Sequence, residues 1–128
     1  MPFSFLKEPK NDVESLMGDV VRVLSILLGK LWMSELSAEL SAFRISLNRP
    51  SDFTDADLKE AVKRLCDLKV VETREGLRAT FGKPQPDTLV GLIGAHDLMD
   101  NIASDMDVKK YRMMLTSNIK PSNSTNAP

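Results

Sequence analysis

Apolar side chains recur at steps of three and four residues in two stretches near the start of the chain, a spacing typical of amphipathic helices. The first helix is expected to begin near Asp12, a suitable N-cap residue, and to end at Gly29. Its apolar positions are Val13, Leu16, Met17, Val20, Val21, Val23, Leu24, Leu27 and Leu28. A second helix follows Ser34, a candidate N-cap, and its inner face holds Leu36, Leu40 and Phe43.

The third helix has the clearest pattern, from Thr54 to Leu68. Thr54 stands three residues before Asp57, so that the threonine hydroxyl and the aspartate carboxylate can satisfy the open N–H groups of the first turn. One side of this helix is apolar at helical spacing, with Leu58, Ala61, Val62, Leu65 and Leu68.

Two strand-like runs, residues 70–74 and 77–81, flank Glu75 and Gly76. Gly76 can adopt the positive φ of a tight turn, so the pattern predicts a β-hairpin centred there. The two prolines within residues 83–86 predict a linker after it.

Beyond this linker, six residues fall at alternating steps of three and four, which predicts a helix over residues 84–116, with Ser104–Asp105 as a candidate break. The positions concerned are Leu89, Leu92, His96, Met99, Ala103 and Met106. Such a helix would either fold back on the first helix or pair with the same helix of a second copy. Residues 1–11 are expected to form an arm, disordered or lying on the domain surface, and 117–128 a disordered tail.

Composition and charge narrow the class of protein. The 128 residues, 42% hydrophobic and 27% charged, are typical of one soluble domain, and the scarcity of aromatic residues favours helices packed on helices. Neither a secretory signal nor an apolar run of the ~20 residues needed to cross a bilayer is visible, so we expect a cytoplasmic protein without membrane contact. The net charge of −1 means that nucleic-acid binding would need a local basic surface.

The segment from Trp32 to Gly82 resembles the winged helix-turn-helix superfamily in its order of elements and in the phrase Arg64-Leu65-Cys66-Asp67-Leu68-Lys69-Val70-Val71-Glu72. The expected fold class is mainly α with a small β-hairpin: a winged-helix domain over residues 12–83 with an additional long C-terminal helix. The resemblance implies that the helix over 55–68 enters the major groove of duplex DNA and that the hairpin rests on the backbone or minor groove.

The charges leave two functions open. Residues 54–68 hold three basic and four acidic side chains, whereas residues 69–83 hold four basic and two acidic ones. A transcription-regulator-like DNA-binding protein would use a basic patch formed by Arg44, Arg49, Lys59, Lys63, Arg64, Arg74 and Arg78. The alternative is a protein–protein interaction adaptor that binds no nucleic acid and whose charges are a solvated, mixed surface.

Catalytic chemistry is not expected. Cys66 is the only cysteine and His96 the only histidine, too few for a zinc site or a Cys-His nucleophile, and no cofactor or metal is predicted. A homodimer is expected through the C-terminal and first helices, because the first helix is apolar on more than one side.

Overall fold

The computed structural model describes residues 3–27, 29–94 and 96–125. Side chains are described for all of these except His96, Asp97 and residues 117–125. Within these residues the elements are, in order, α1 (Ser4–Lys7), α2 (Asp12–Ile26), β1 (Lys30–Trp32), α3 (Met33–Ser46), α4 (Asp55–Asp67), β2 (Val71–Arg78), β3 (Gln85–Leu92), α5 (His96–Ala103) and α6 (Met106–Thr125).

Helix α2 lies at the centre of the fold. Its residues 16–24 are all buried, and α1, α3, α4, α6 and β3 pack around it. Its cap is Asn11 rather than Asp12, since the Asn11 side chain accepts a hydrogen bond from the backbone N–H of Glu14 at 2.9 Å. The helix ends at Ile26, before the predicted stop at Gly29, which has a φ of 83°. The apolar sides of α2 are thus covered by its own chain, which removes the reason for expecting a dimer contact there.

Helices α3 and α4 follow the sequence pattern closely. Leu36, Leu40 and Phe43 are fully buried, as predicted for the inner face of α3. The helix begins at Met33, before the candidate cap Ser34, and the Glu35 carboxylate accepts from the Trp32 N–H at 3.1 Å.

The predicted cap of α4 is confirmed. The Thr54 hydroxyl accepts from the Asp57 N–H, and the Asp57 carboxylate accepts from the Thr54 N–H, both at 3.1 Å. Four of the five predicted apolar positions of this helix are buried. The fifth, Leu68, is 48% exposed because it lies at the C-cap, where the chain turns away from the core.

A three-stranded antiparallel sheet in the order β1-β3-β2 makes the fold mixed α/β rather than mainly α with a hairpin alone. The predicted hairpin turn is wrong: Glu75 and Gly76 lie inside β2, opposite Thr88 and Asp87 of β3, and Gly76 has no positive φ. The connection between the strands is the loop over residues 79–84.

The prediction of a linker over residues 83–86 fails because Pro86 belongs to β3, the central strand. Pro86 lies opposite Leu77 of β2, whereas the pairing of β1 with β3 stops at Trp32 opposite Leu89. At Pro86 the strand therefore has a neighbour on one side only, and the missing N–H of the proline costs no ladder hydrogen bond.

A single long C-terminal helix is not confirmed. Leu89 and Leu92 belong to β3, and two helices, α5 and α6, follow with the predicted break at Ser104–Asp105. The Asp105 carboxylate accepts from the N–H groups of Asp107 and Val108, which caps α6.

The buried positions of these two helices are Leu98, Ile102, Val108 and Tyr111, whereas Met99 and Met106 of the predicted seam are exposed. Helix α6 packs on α2, and the ring of Tyr111 meets that of Phe43 edge-on. The disordered tail over residues 117–128 stays a prediction: the backbone of residues 117–125 continues α6, no side chain is described there, and residues 126–128 lie outside the described residues.

The order helix, strand, helix, helix, hairpin, with the first strand completing the sheet, is compatible with a winged-helix arrangement. The segment expected as an arm holds α1, whose Phe5 and Leu6 are buried in the common core. No helix in the described ranges is both long and apolar enough to cross a membrane.

Candidate interaction groove

A groove of about 740 Å³ lies between α4 and one face of the β2–β3 hairpin, here called the wing. Because side chains alternate along a strand, Thr73 and Glu75 of β2 face α4, whereas Arg74 between them faces away. The residues of this α4–wing groove are Met33, Lys59, Val62, Lys63, Cys66, Asp67, Thr73, Glu75, Pro86, Asp87 and Thr88.

The floor of the groove is apolar. Val62 is buried in the core, and Cys66 and Met33 are half-buried beside it. Burial raises the pKa of the Cys66 thiol, and the charge of Asp67 adds to this, although a hydrogen bond with Thr73 works against both. The thiol is therefore protonated at neutral pH and behaves as a small apolar surface.

The α4 wall presents two cations and one carboxylate, that of Asp67. Lys59 and Lys63 are exposed and four residues apart, so they lie on one side of the helix with Cβ atoms roughly 6 Å apart. Neither ammonium group has an ion-pair partner among the described residues. Asp55 and Asp67, each four residues from one of these lysines, line the adjoining cavities.

The wing wall presents carboxylates that are already hydrogen-bonded. Glu75 accepts from the Thr88 hydroxyl at 2.9 Å. Asp87 accepts from the Ser34 hydroxyl at 2.6 Å, from the Thr88 N–H at 2.7 Å and from Arg78 Nε at 3.0 Å.

Burial alone would raise the pKa of Asp87, but these three donors and the charge of Arg78 outweigh it, so the pKa lies below the usual range of an aspartate. The bond from Ser34 also ties the wing to the start of α3.

The groove continues past Asp87 toward the start of α4. A second cavity of about 380 Å³ shares Met33, Lys59 and Asp87 with the first. Its other lining residues are Ser34, Ser37, Asp55 and Leu58. The two cavities therefore adjoin at the shared residues.

The opposite face of the sheet carries the side chain of Arg74. Trp32, Leu89 and Arg74 stand opposite one another across the three strands, so their side chains share that face. Arg74 is exposed there, with the sheet between it and the two lysines of α4.

Two of the seven predicted DNA contacts belong to an ion-pair network around the buried Asp19, although the Arg49 side chain itself is 37% exposed. Arg44 is 11% exposed, and its Nε donates to the Asp19 carboxylate at 2.8 Å. Arg49 pairs with Asp107 and stands 3.6 Å from Asp19, which is 1% exposed. Both arginines connect helices within the fold, away from α4's outer face and the wing.

Two more of the predicted contacts are paired at the surface. Arg64 Nε lies 2.9 Å from the Glu60 carboxylate, and Arg78 is held by Asp87. Of the seven, Lys59, Lys63 and Arg74 are exposed without an ion pair in the described chain, and Arg74 is on the other face of the sheet. The structure does not bring the seven side chains into one basic surface.

Sequence reasoning missed the charged pair in α2. Arg22 NH1 donates to Asp19 at 2.8 Å, its NH2 to the Leu6 carbonyl oxygen at 2.6 Å, and its Nε to Asp105 at 2.9 Å. Burial alone would lower the pKa of Arg22, but the hydrogen bonds and charges of Asp105 and Asp19 outweigh it and raise the pKa. Two opposite charges three residues apart inside an apolar run are the available signal of such a buried pair.

The groove residues of β3 were missed because that strand was predicted as a linker and a helix.

Among the residues that the structure describes, no cluster of three His, Cys, Asp or Glu side chains is placed to hold a metal ion. No known protein family, curated protein or solved structure matches this chain.

Proposed function

We propose that this chain is a winged-helix module that binds another protein in the α4–wing groove. The observation that supports this function best is the combination of an apolar floor, two lysines without an ion pair among the described residues, and exposed apolar side chains on the wing. Leu77, on the groove side of β2, is 67% exposed, and Phe81 in the wing loop is fully exposed. Exposed aromatic and aliphatic side chains beside a concave apolar surface are typical of protein interaction sites.

The charge distribution favours a protein partner over duplex DNA. Helix α4 holds three basic and four acidic side chains, and residues 71–92 hold three of each. Non-specific affinity for DNA depends on neutralising phosphates with basic side chains, and a module with as many acidic as basic side chains has no net positive charge for this. The exposed arginine of the wing and the lysines of α4 also face different directions.

Photo-crosslinking in the cells that make the protein tests this proposal. A photoreactive amino acid at position 63 lies in the groove, whereas the same amino acid at position 74 lies on the opposite face of the sheet and serves as the matched control. We expect one recurrent protein partner, identified by mass spectrometry, from position 63 and not from position 74. Crosslinks from position 63 to nucleic acid, or the same proteins from both positions, would contradict the proposal.

Binding of duplex DNA is the second candidate, supported by Lys59 and Lys63, which are exposed and have no ion pair among the described residues. In that case Lys59 and Lys63 contact the major-groove side and Arg74 a neighbouring phosphate. A fluorescence anisotropy titration of random-sequence duplex at two salt concentrations distinguishes the candidates. Binding that weakens steeply with salt, and that weakens further in Lys59→Ala/Lys63→Ala, would favour DNA.

A further inference from the structure

From the position of Arg22 we infer that α1 and α6 are coupled: α1 is a strap, and its release from α2 loosens the start of α6. The coupling depends on one guanidinium group, which holds both elements. It does not involve the α4–wing groove, so it is independent of the proposed function.

Arg22 contacts both elements at once. Its Nη2 donates to the Leu6 carbonyl oxygen of α1 at 2.6 Å, and its Nε donates to the Asp105 carboxylate at 2.9 Å. That carboxylate also accepts from two N–H groups in the first turn of α6, so the same group caps the helix and pairs with the guanidinium. A third bond, from Nη1 to Asp19 of the same helix at 2.8 Å, keeps the guanidinium between α1 and α6.

The docked α1 separates this guanidinium from water. Phe5 and Leu6 are buried in the common core, and a Cβ atom at Gly18 of α2 would lie only 3.3 Å from the Phe5 carbonyl oxygen. When α1 is docked, Arg22 has therefore lost its water on that side and gains fully from the charge of Asp105. When α1 is released, water replaces the Leu6 carbonyl oxygen and screens the charges, so the ion pair becomes weaker.

The first turn of α6 is the part that the coupling controls. Further along, the helix is held independently of Arg22, because Tyr111 is buried and its ring meets that of Phe43 edge-on. Release of α1 therefore favours opening of the first turn and leaves the turn around Tyr111 in place. Because linked equilibria affect each other equally, loss of the Asp105 charge also loosens α1.

Amide hydrogen exchange in the full chain, followed by NMR, tests this coupling. Phe5→Ala/Leu6→Ala removes the apolar anchors of α1 and leaves the ion pair itself unchanged. We expect the amides in the first turn of α6 to exchange about threefold faster or more, as for other coupled elements. The control Leu58→Ala removes a buried side chain from α4 and is expected to leave these amides unchanged. Circular dichroism verifies that each variant is folded, and Leu6→Ala alone replaces the double variant if that one is not.

A second substitution separates the ion pair from general packing. Asp105→Asn keeps a capping oxygen but removes the charge, so the substitutions in α1 should cause little further change in the first turn of α6. The reciprocal effect is measured at the Glu8 amide, which donates to the Ser4 carbonyl oxygen at 2.8 Å and reports on α1. We expect this amide to exchange faster in Asp105→Asn than in the wild type.

Three results would overturn the inference. The first is unchanged exchange in the first turn of α6 when the anchors of α1 are removed. The second is the same acceleration with and without the charge of Asp105, which would show that the ion pair does not transmit the effect. The third is an unchanged Glu8 amide in Asp105→Asn.

Discussion

The indole of Trp32 lies across Gly76, so closely that a Cβ atom at position 76 would stand 3.2 Å from Cη2 of the ring. Trp32 ends β1 and Gly76 lies inside β2, so the ring reaches across the central strand to make this contact. Gly76 is therefore needed for the space that it leaves to the ring, and not for a turn.

Gly76→Ala is expected to displace the Trp32 ring, because the added methyl group would be closer than ordinary van der Waals contact. We expect the free energy of unfolding to fall by roughly 1 kcal/mol, as in other overpacked sites. Trp32 is the only tryptophan, so intrinsic fluorescence reports on this site alone, and its emission should shift toward longer wavelength. The control is Gly82→Ala, since nothing lies within 4 Å of a Cβ atom there. A Gly76→Ala protein with unchanged emission and stability would contradict the contact.

Asp19→Ala is expected to destabilise the fold strongly, because it leaves the buried guanidinium groups of Arg22 and Arg44 without their shared carboxylate. Removing one partner of a buried pair typically costs about 3–5 kcal/mol. Urea unfolding measures this loss, with the exposed Asp52→Asn as the control, which should stay within about 0.5 kcal/mol of the wild type. A loss as small as that of the control would show that the network is not buried.

Asp105 links α2 to the start of α6, since it accepts from Arg22 and also from the N–H groups of Asp107 and Val108. Asp105→Asn keeps a capping oxygen but loses the charge, whereas Asp105→Ala loses both. Amide hydrogen exchange in the first turn of α6 should therefore be fastest in Asp105→Ala and intermediate in Asp105→Asn. Equal exchange in all three proteins would contradict the cap.

The lowered pKa of Asp87 predicts a dependence of stability on pH. A carboxyl group whose pKa is lower in the folded state stabilises the fold above its ordinary pKa of about 3.9 and loses that contribution as the pH falls through the folded value. The difference in free energy of unfolding between wild type and Asp87→Asn should thus shrink as the pH falls from about 5 to about 2. A difference that is constant over this range would contradict the lowered pKa.

Elements specified by neighbouring residues could be predicted from the sequence. The cap of α4 needs only Thr54 and Asp57, three residues apart, and the apolar side of this helix follows from its 3.6-residue period. The break at Ser104–Asp105 is local in the same way. These elements are present where the sequence places them.

The central strand could not be predicted, because its evidence lies far away in sequence. Leu89 and Leu92 match a helical spacing. Pro86 argues against a central strand, and it is compatible with one only because β1 is too short to pair with β3 at that position. Likewise the sequence does not show that Arg44 forms an ion pair with Asp19, because Asp19 lies on another helix. For these reasons the sequence predicts a basic patch, whereas the structure has a groove with two lysines.

The register of β2 on β3 decides which side chains face α4, because a slip by one residue would exchange the two faces of the strand. Bonded pairs alternate along an antiparallel ladder, and the Ile93 N–H donates to the Val70 carbonyl oxygen at 2.8 Å. Counted from that pair, Thr73 with Val90 and Glu75 with Thr88 are non-hydrogen-bonded pairs, whose Hα atoms approach closely.

Nuclear Overhauser effects between Hα atoms therefore test the groove most directly. We predict strong effects between Thr73 and Val90 and between Glu75 and Thr88. Contacts of Arg74 with Leu77 instead, as in a tight turn at Glu75 and Gly76, would contradict the register and leave Lys59 and Lys63 without a facing strand.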